Sequence, residues 1–230
     1  MHVSITETIL LSVKVALSAT LLDLPFALFF GWLLARREFR GKMLFGTLIN
    51  LPLVLPPVVT GWFLLVLLGR NGIIGAWLYR WFGFSLVFTW QAAALAAAVV
   101  SFPIFVRAVR VAIENVNPRY EEAALLLRTT PWQVFWKITF PLAANGVIAG
   151  ALLAFARSLG EFGATIMVAG NIPGETRTIP LAIFSAVNQA GSDTQVLLLI
   201  LASIVFAYGT LIISELLLRK WRQPVEEPNG

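Results

Sequence analysis

The chain has 230 residues, 58% hydrophobic and only 13% charged, with a mean hydropathy of +0.82. Soluble domains carry roughly 25% charged residues, so this composition excludes a soluble globular protein and marks an integral membrane protein. The net charge is +5 and there is no Cys, which leaves neither a disulfide nor a thiolate metal site available.

A bilayer core of ~30 Å takes ~20 apolar residues in helix. Four stretches between successive charges reach that length: Met43 to Gly69, Trp81 to Val106, Ile138 to Ala156 and Thr194 to Ser214. A fifth, Ile9 to Ala35, is interrupted by Lys14 and Asp23. Five helical spans are therefore expected in one polytopic domain, residues 1-230, an all-α membrane bundle. The long continuous runs lack the alternation of a barrel strand, and helices satisfy their own backbone in lipid. "MHVSITET" has no basic n-region before the first span, so that span is expected to remain in the mature protein.

Loops rich in Lys and Arg stay cytoplasmic. "RREFRGK" holds four basic residues, Arg107 to Lys137 holds five, and Arg219 to Arg222 holds three, whereas the alternate loops hold Arg70 and Arg80, and Arg177. The N-terminus is thus expected outside and the C-terminus in the cytoplasm. Because the charges flank apolar spans, they read as orientation and contact with anionic lipid rather than nucleic-acid binding.

Within the second span, "LPLVLPPVVTGW" places Pro52, Pro56, Pro57 and Gly61 in an apolar helix. Each proline removes a backbone bond, and such breaks survive at membrane depth where they are buried in protein or line a cavity. A kinked helix beside a translocation pathway and a kink that only shapes packing both fit.

The passage "NPRYEEAALLLRTTPWQVFWKITFP", Asn117 to Pro141, is too polar to insert and too apolar for a free linker. Asn117 is expected to cap a helix with Pro118 at its first position, and that helix should falter at "RTTP", before a proline. Thr130 and Gln133 have capping-box spacing around Pro131, so a second short helix should begin there and Pro141 should close it before the fourth span. A segment lying under the bundle with Trp132 and Trp136 at the headgroups is one reading, and a surface for a partner protein is the other.

Further on, Arg157 and Glu161 are four apart and share a helix face, consistent with a local ion pair. Gly160 and Gly163 would permit close backbone approach, with Thr165 on the same stretch, and "TRTIPLAIFSAVN" reads as a helix on the outer surface begun near Pro180.

The loop resembles the EAA loop of the membrane subunits of binding-protein-dependent ABC importers, Glu-Ala-Ala, three residues, Gly, nine residues, then Ile-x-Leu-Pro. Here Glu122, Ala123 and Ala124 match its start and Ile138 and Pro141 its end, while Arg128 stands at the glycine and Phe140 at the leucine. With "LPLVLPPVV", "FARSLGEFGATI" and "NIPGETRTIP", most of the chain is similar to the molybdate permeases of that class. The resemblance implies the type I importer permease fold, with loop 117-141 docking on cytoplasmic ATPase subunits that use ATP and Mg, and no cofactor on this chain. It further implies a second copy of the chain, an extracytoplasmic molybdate-binding protein, a bacterial inner-membrane location, and a pathway or gate near Pro52, Pro56, Pro57, Gly61, Gly160, Glu161, Gly163 and Thr165. Sulfate or tungstate permeases of the same class are the alternative.

Two other classes are weighed on residues alone. No G-x-x-x-x-G-K-[ST] occurs, so nucleotide would bind another subunit. An ion-coupled secondary transporter should show inward ionisable residues, for which Asp23 is the best candidate, Glu215 and Arg219 reading as an interfacial pair. A membrane enzyme would need a constellation that the sole histidine, His2, does not supply.

Overall fold

The computed structural model describes residues 5–188 and 193–220, with the side chains of 193–195 and 217–220 outside the description. His2, Trp221 and Arg222 lie outside the described residues, as does the side chain of Arg219 and with it the expected pair to Glu215. Among the described residues every regular element is helical.

The first helix, α1 (Ile5–Arg36), is 32 residues long, or ~48 Å at the α-helical rise, so it spans the hydrocarbon and continues beyond it. It packs along α5 (Trp90–Glu114), which in turn packs along α8 (Phe140–Leu159). Small residues make this three-helix seam close. Ala92, Ala93, Ala96 and Ala97 are fully buried; a methyl on Gly31 would stand 2.6 Å from Val109 Cγ1, and one on Gly146 would run into Ala112 Cβ. Lipid chains are as apolar as leucine, so helices in a bilayer associate through such close van der Waals contact rather than through exclusion of water. A second apolar cluster around Phe105, Val109, Ile113 and Val147 continues the seam towards the Asn117 end.

Among the described residues four helices are long and apolar enough to span: Ile5–Arg36, Trp90–Glu114, Pro131–Leu159 and Val196–Leu216, the last within α11 (Asp193–Lys220). The expected third span therefore starts at Trp90 rather than Trp81. Trp81 belongs to a separate helix, α4 (Ile73–Phe82), and an irregular stretch ended by the Thr89 cap, whose side chain accepts from the Ala92 amide, separates it from Trp90.

The expected second span is two helices, α2 (Lys42–Val54) and α3 (Pro57–Leu68), bent by 106°. Leu55 and Pro56, each preceding a proline, are extended (ψ 139° and 131°), as the clash with the next pyrrolidine ring demands. Pro57 then opens α3, where its missing N–H costs nothing. Pro52 is different: it lies inside α2 without breaking it. The result is a sharp corner rather than a kink, and neither arm alone, at ~18–20 Å, spans the hydrocarbon.

The helix begun near Pro180, α10 (Ile179–Val187), is not laid free on a surface. Ile179, Leu181 and Ala182 are buried, with Ile179 and Ala182 against Ile5, Ile9 and Leu199, while Phe184 and Val187 stay exposed. The Ile179 amide donates to Ser12 Oγ at 2.8 Å, which gives one of the unpaired donors of the helix start a partner in α1.

Candidate functional site: an exposed two-helix loop and a proline–glycine corner

The loop forms as its local chemistry requires. Asn117 caps α6 (Pro118–Leu126), its Oδ1 accepting from the Arg119 amide at 3.0 Å. A complete capping box, Gln133 N–H to Thr130 Oγ1 and Thr130 N–H to Gln133 Oε1, starts α7 (Pro131–Val134). Between them Arg128 adopts φ 61°, the left-handed conformation that Gly supplies most cheaply at a helix end. The turn is made there by an arginine, held by the Arg128 amide to Leu125 O at 3.1 Å and by Thr129 Oγ1 donating to Ala124 O at 2.7 Å.

Pro141 does not close the second helix. α7 passes through a π turn, Phe135–Thr139, directly into α8. The wider π register sends the Phe140 amide back to Phe135 O. A proline clashes with the carbonyl four residues before it, and a π turn just ahead of Pro141 opens the helix where that clash would fall. The loop's second half is thereby a rigid extension of a membrane span.

The two glutamates have opposite fates. Glu122 is exposed, as are Ala123, Leu125, Leu126, Leu127 and Trp132; Ala124 is buried. Leu126 and Leu127 are 85% and 80% exposed, too much apolar area on a polar loop to be incidental; a contiguous patch of this kind marks a surface that meets another molecule. Glu121, three residues before Ala124 and so on its face, turns inward instead. The Arg36 Nε lies 3.0 Å from its carboxylate, and Thr139 Oγ1 donates to it at 2.7 Å. Arg36 also donates through a terminal nitrogen to Val116 O at 2.7 Å. One carboxylate thus joins the end of α1, the start of α6 and the base of α8. Sequence reading passed over Glu121 and Arg36; the signal available was the helical phase, which puts Glu121 on the side of Ala124 and Leu125 and away from Leu126. Ile138 is half-buried in the π turn.

The second set of candidates splits. α9 (Gly163–Ala169) crosses α3 at a distance only glycine permits: a methyl on Gly61 would lie 2.6 Å from Ala164 O and 2.7 Å from its Cα, and one on Gly163 would lie 3.0 Å from Pro57 Cβ. Pro57, Gly61 and Gly163 are therefore one contact, with Pro56 at the adjoining corner. Thr165 is buried nearby in α9, and Thr60 in α3 is buried with its hydroxyl unpartnered. Gly160 does not belong to this contact; a methyl there would meet nothing closer than 3.9 Å and its φ is ordinary. Pro52 also stands apart, within α2.

Glu161 is 3% exposed. One oxygen accepts from Arg157 at 2.8 Å and the other from the Ala164 amide at 2.8 Å, so it forms the expected ion pair and also caps the start of α9. In the membrane interior Asp23 accepts from Ser101 Oγ at 3.0 Å, and Ser158 Oγ donates to Ser101 Oγ at 3.1 Å. This buried chain of polar groups fastens α1, α5 and α8 to one another, a bundle-interior contact of the sort polar residues make between membrane helices.

Comparison with known proteins agrees with this architecture. Residues 27–223 match the family model described as binding-protein-dependent transport system inner membrane component. The chain is 52% identical over 217 residues to the molybdenum transport system permease protein of Escherichia coli K12, covering 94% of this chain and 95% of that one. It is 50% identical over 219 residues to its namesake from Haemophilus influenzae, covering 95% and 96%. A sulfate transport system permease protein of Escherichia coli K12 is 38% identical over 201 residues, covering 85% and 72%. Among solved structures, a chain of a bacterial ABC transporter that imports alginate superimposes with a TM-score of 0.67 at 17% identity over 95% of this chain and 80% of that one. A chain of the MetNI methionine ABC transporter gives 0.62 at 17% identity over 92% and 93%. The chain therefore belongs to the binding-protein-dependent transport system inner membrane components, among the permease proteins of molybdenum transport systems.

Proposed function

We propose that the chain forms the passive channel of an ATP-driven importer that carries molybdate into the cytoplasm, as one permease domain in which loop 117-141 is the docking element for a separate ATPase subunit. The observation that carries this reading is the loop itself: Glu122, Leu126 and Leu127 face outward from α6, which Glu121 ties to Arg36 and Thr139, and Trp132 faces outward from α7, which continues through the π turn into the span. A motor protein that seats this surface can move the span ends with it. The ATPase supplies ATP and Mg chemistry; this chain supplies the path.

The further parts of the proposal are two copies of the chain around one pathway, a binding protein that delivers the oxyanion from outside, and an N-terminus outside with the C-terminus in the cytoplasm. Counting the bent α2–α3 pair as one crossing gives five spans, which supports termini on opposite sides. The gate is assigned to the corner at Pro56 and Pro57 and to the Gly61–Gly163 contact, with Glu161 and Thr165 beside it. Closure of the ATPase pair would draw the two loops together and open the outer side, because the partner binds the two states differently. Molybdate is preferred over sulfate as cargo because the sulfate permeases in the comparison are less similar, at 36–38% identity, than the molybdenum permeases.

Reconstitution tests it. Vesicles holding this chain with its ATPase and binding protein should accumulate molybdate only when ATP is present, and should lose both accumulation and ATPase co-purification when Glu122 is replaced by Lys. ATP-independent accumulation driven by an ion gradient would overturn the proposal in favour of a secondary transporter.

A further inference from the structure

We propose that Arg107 is a contact for the tetrahedral oxyanion on the inner half of the pathway, an assignment that rests on the importer reading above and adds a specific cargo residue to it. Arg107, expected from the sequence just past the third span and at the start of a basic loop, lies instead within the apolar helix α5, seven residues before its last residue, Glu114, or ~10 Å along the axis from the end of that helix. Its side chain is exposed rather than packed.

What distinguishes Arg107 is its lack of a partner. Lys14 sits 3.6 Å above the centroid of Trp90, Arg36 is bound to Glu121, Arg110 to Glu114 at 2.7 Å, and Arg157 to Glu161. Among the described residues Arg107 alone of the cations on α1, α5 and α8 makes no side-chain ion pair, hydrogen bond or ring contact; Lys137, also without one, sits lower, in the π turn at the loop. A guanidinium held at this depth is costly unless water or a counter-charge reaches it, which is why unpaired intramembrane cations mark ion pathways.

The space around Arg107 supports an anion. Two cavities meet at Arg107 and Leu53, one of about 380 Å³ that includes Asn50 of α2, the other of about 510 Å³ that includes Asn115 and runs over Gly146 and Gly150 of α8. No carboxylate lines either cavity. A planar guanidinium offers two parallel donors matched to two oxygens of a tetrahedral anion. Arg110 also lines the smaller cavity but is engaged by Glu114 at 2.7 Å, and one unengaged cation facing a dianion binds it weakly, as conduction requires. A lipid phosphate offers the same chemistry, so the two sources must be separated by access.

The absence of native Cys makes that separation direct. In inside-out vesicles containing the whole complex, Arg107→Cys is the sole thiol of this chain and should react with a membrane-impermeant sulfonated maleimide. Reaction only with a lipid-soluble maleimide would place the position against lipid and overturn the cargo assignment. In parallel, Arg107→Gln should lower molybdate uptake about tenfold or more, the loss expected for a charge-assisted contact, while co-purification with the ATPase persists, and Arg107→Lys should retain part of the uptake. Undiminished uptake in Arg107→Gln overturns the inference. If the unaltered complex takes up no molybdate, it is the importer reading that fails, and this assignment goes with it.

Discussion

Replacing Glu121 by Ala removes the group at which three elements meet. The carboxylate accepts from Arg36 Nε at 3.0 Å and from Thr139 Oγ1 at 2.7 Å, both charge-assisted bonds of about 1.5–3 kcal/mol each. Breaking one partner of a fully buried pair costs about 3–5 kcal/mol. Here the side chains of Arg36 and Glu121 are 14% and 16% exposed, so water recovers part of the loss, and about 2–3 kcal/mol is expected. Arg36→Ala should cost as much, since it also forfeits the bond to Val116 O. If an ATPase partner seats the loop in this arrangement, titrating it onto the detergent-solubilised permease should show each single variant weakened by roughly 30-fold or more, the factor for about 2 kcal/mol. The double variant should be little worse than either, since residues sharing one network are not additive. Single variants within twofold of the parent, or a double variant equal to the product of the two singles, would refute the reasoning.

At the turn, Arg128→Gly should be neutral or raise the thermal midpoint, because relief of left-handed strain of about 1 kcal/mol is offset by the greater unfolded-state freedom of glycine. Arg128→Val should lower it, since a β-branched residue at positive φ is a true outlier; a valine variant as stable as the glycine variant would contradict the observed φ. Gly61→Leu drives a side chain into the backbone of Ala164 and should cost about 1–3 kcal/mol by overpacking, read as a lowered unfolding midpoint with impaired uptake, whereas Gly160→Ala, with open space around it, should change neither. Thr139→Val should weaken ATPase titration by about tenfold or more, the size of one lost charge-assisted hydrogen bond, and an unchanged affinity would remove Thr139 from the junction.

Local chemistry made the loop legible. Asn117 with Pro118, and Thr130 with Gln133, are signals within four residues, and both caps stand where their spacing puts them. The junction at Glu121 was not legible, because Arg36 is 85 residues away and Thr139 is 18; sequence spacing does not reveal a partner across the fold. Pro141 misled for a related reason. A proline usually ends a helix, and here a π turn absorbs it, with Phe135 and Trp136 packed against Phe140. The Leu55–Pro56–Pro57 corner was visible as a break, but its 106° angle follows from two successive residues forced out of the helical region and from α9 seated against Gly61. The span from Trp90 was misjudged at its start because Phe82 to Phe88 is as apolar as a helix yet contains the turn at Gly83 and the positive-φ Phe88. Hydropathy alone does not distinguish a membrane helix from an apolar loop.

The most direct test of the central claim is ATP hydrolysis by the purified permease–ATPase complex in vesicles, measured with the binding protein added empty, loaded with molybdate, or loaded with sulfate. The account predicts strong stimulation by the molybdate-loaded protein and little by the other two. Equal stimulation by molybdate and sulfate would contradict the cargo, and no stimulation by any loaded form would contradict the importer itself.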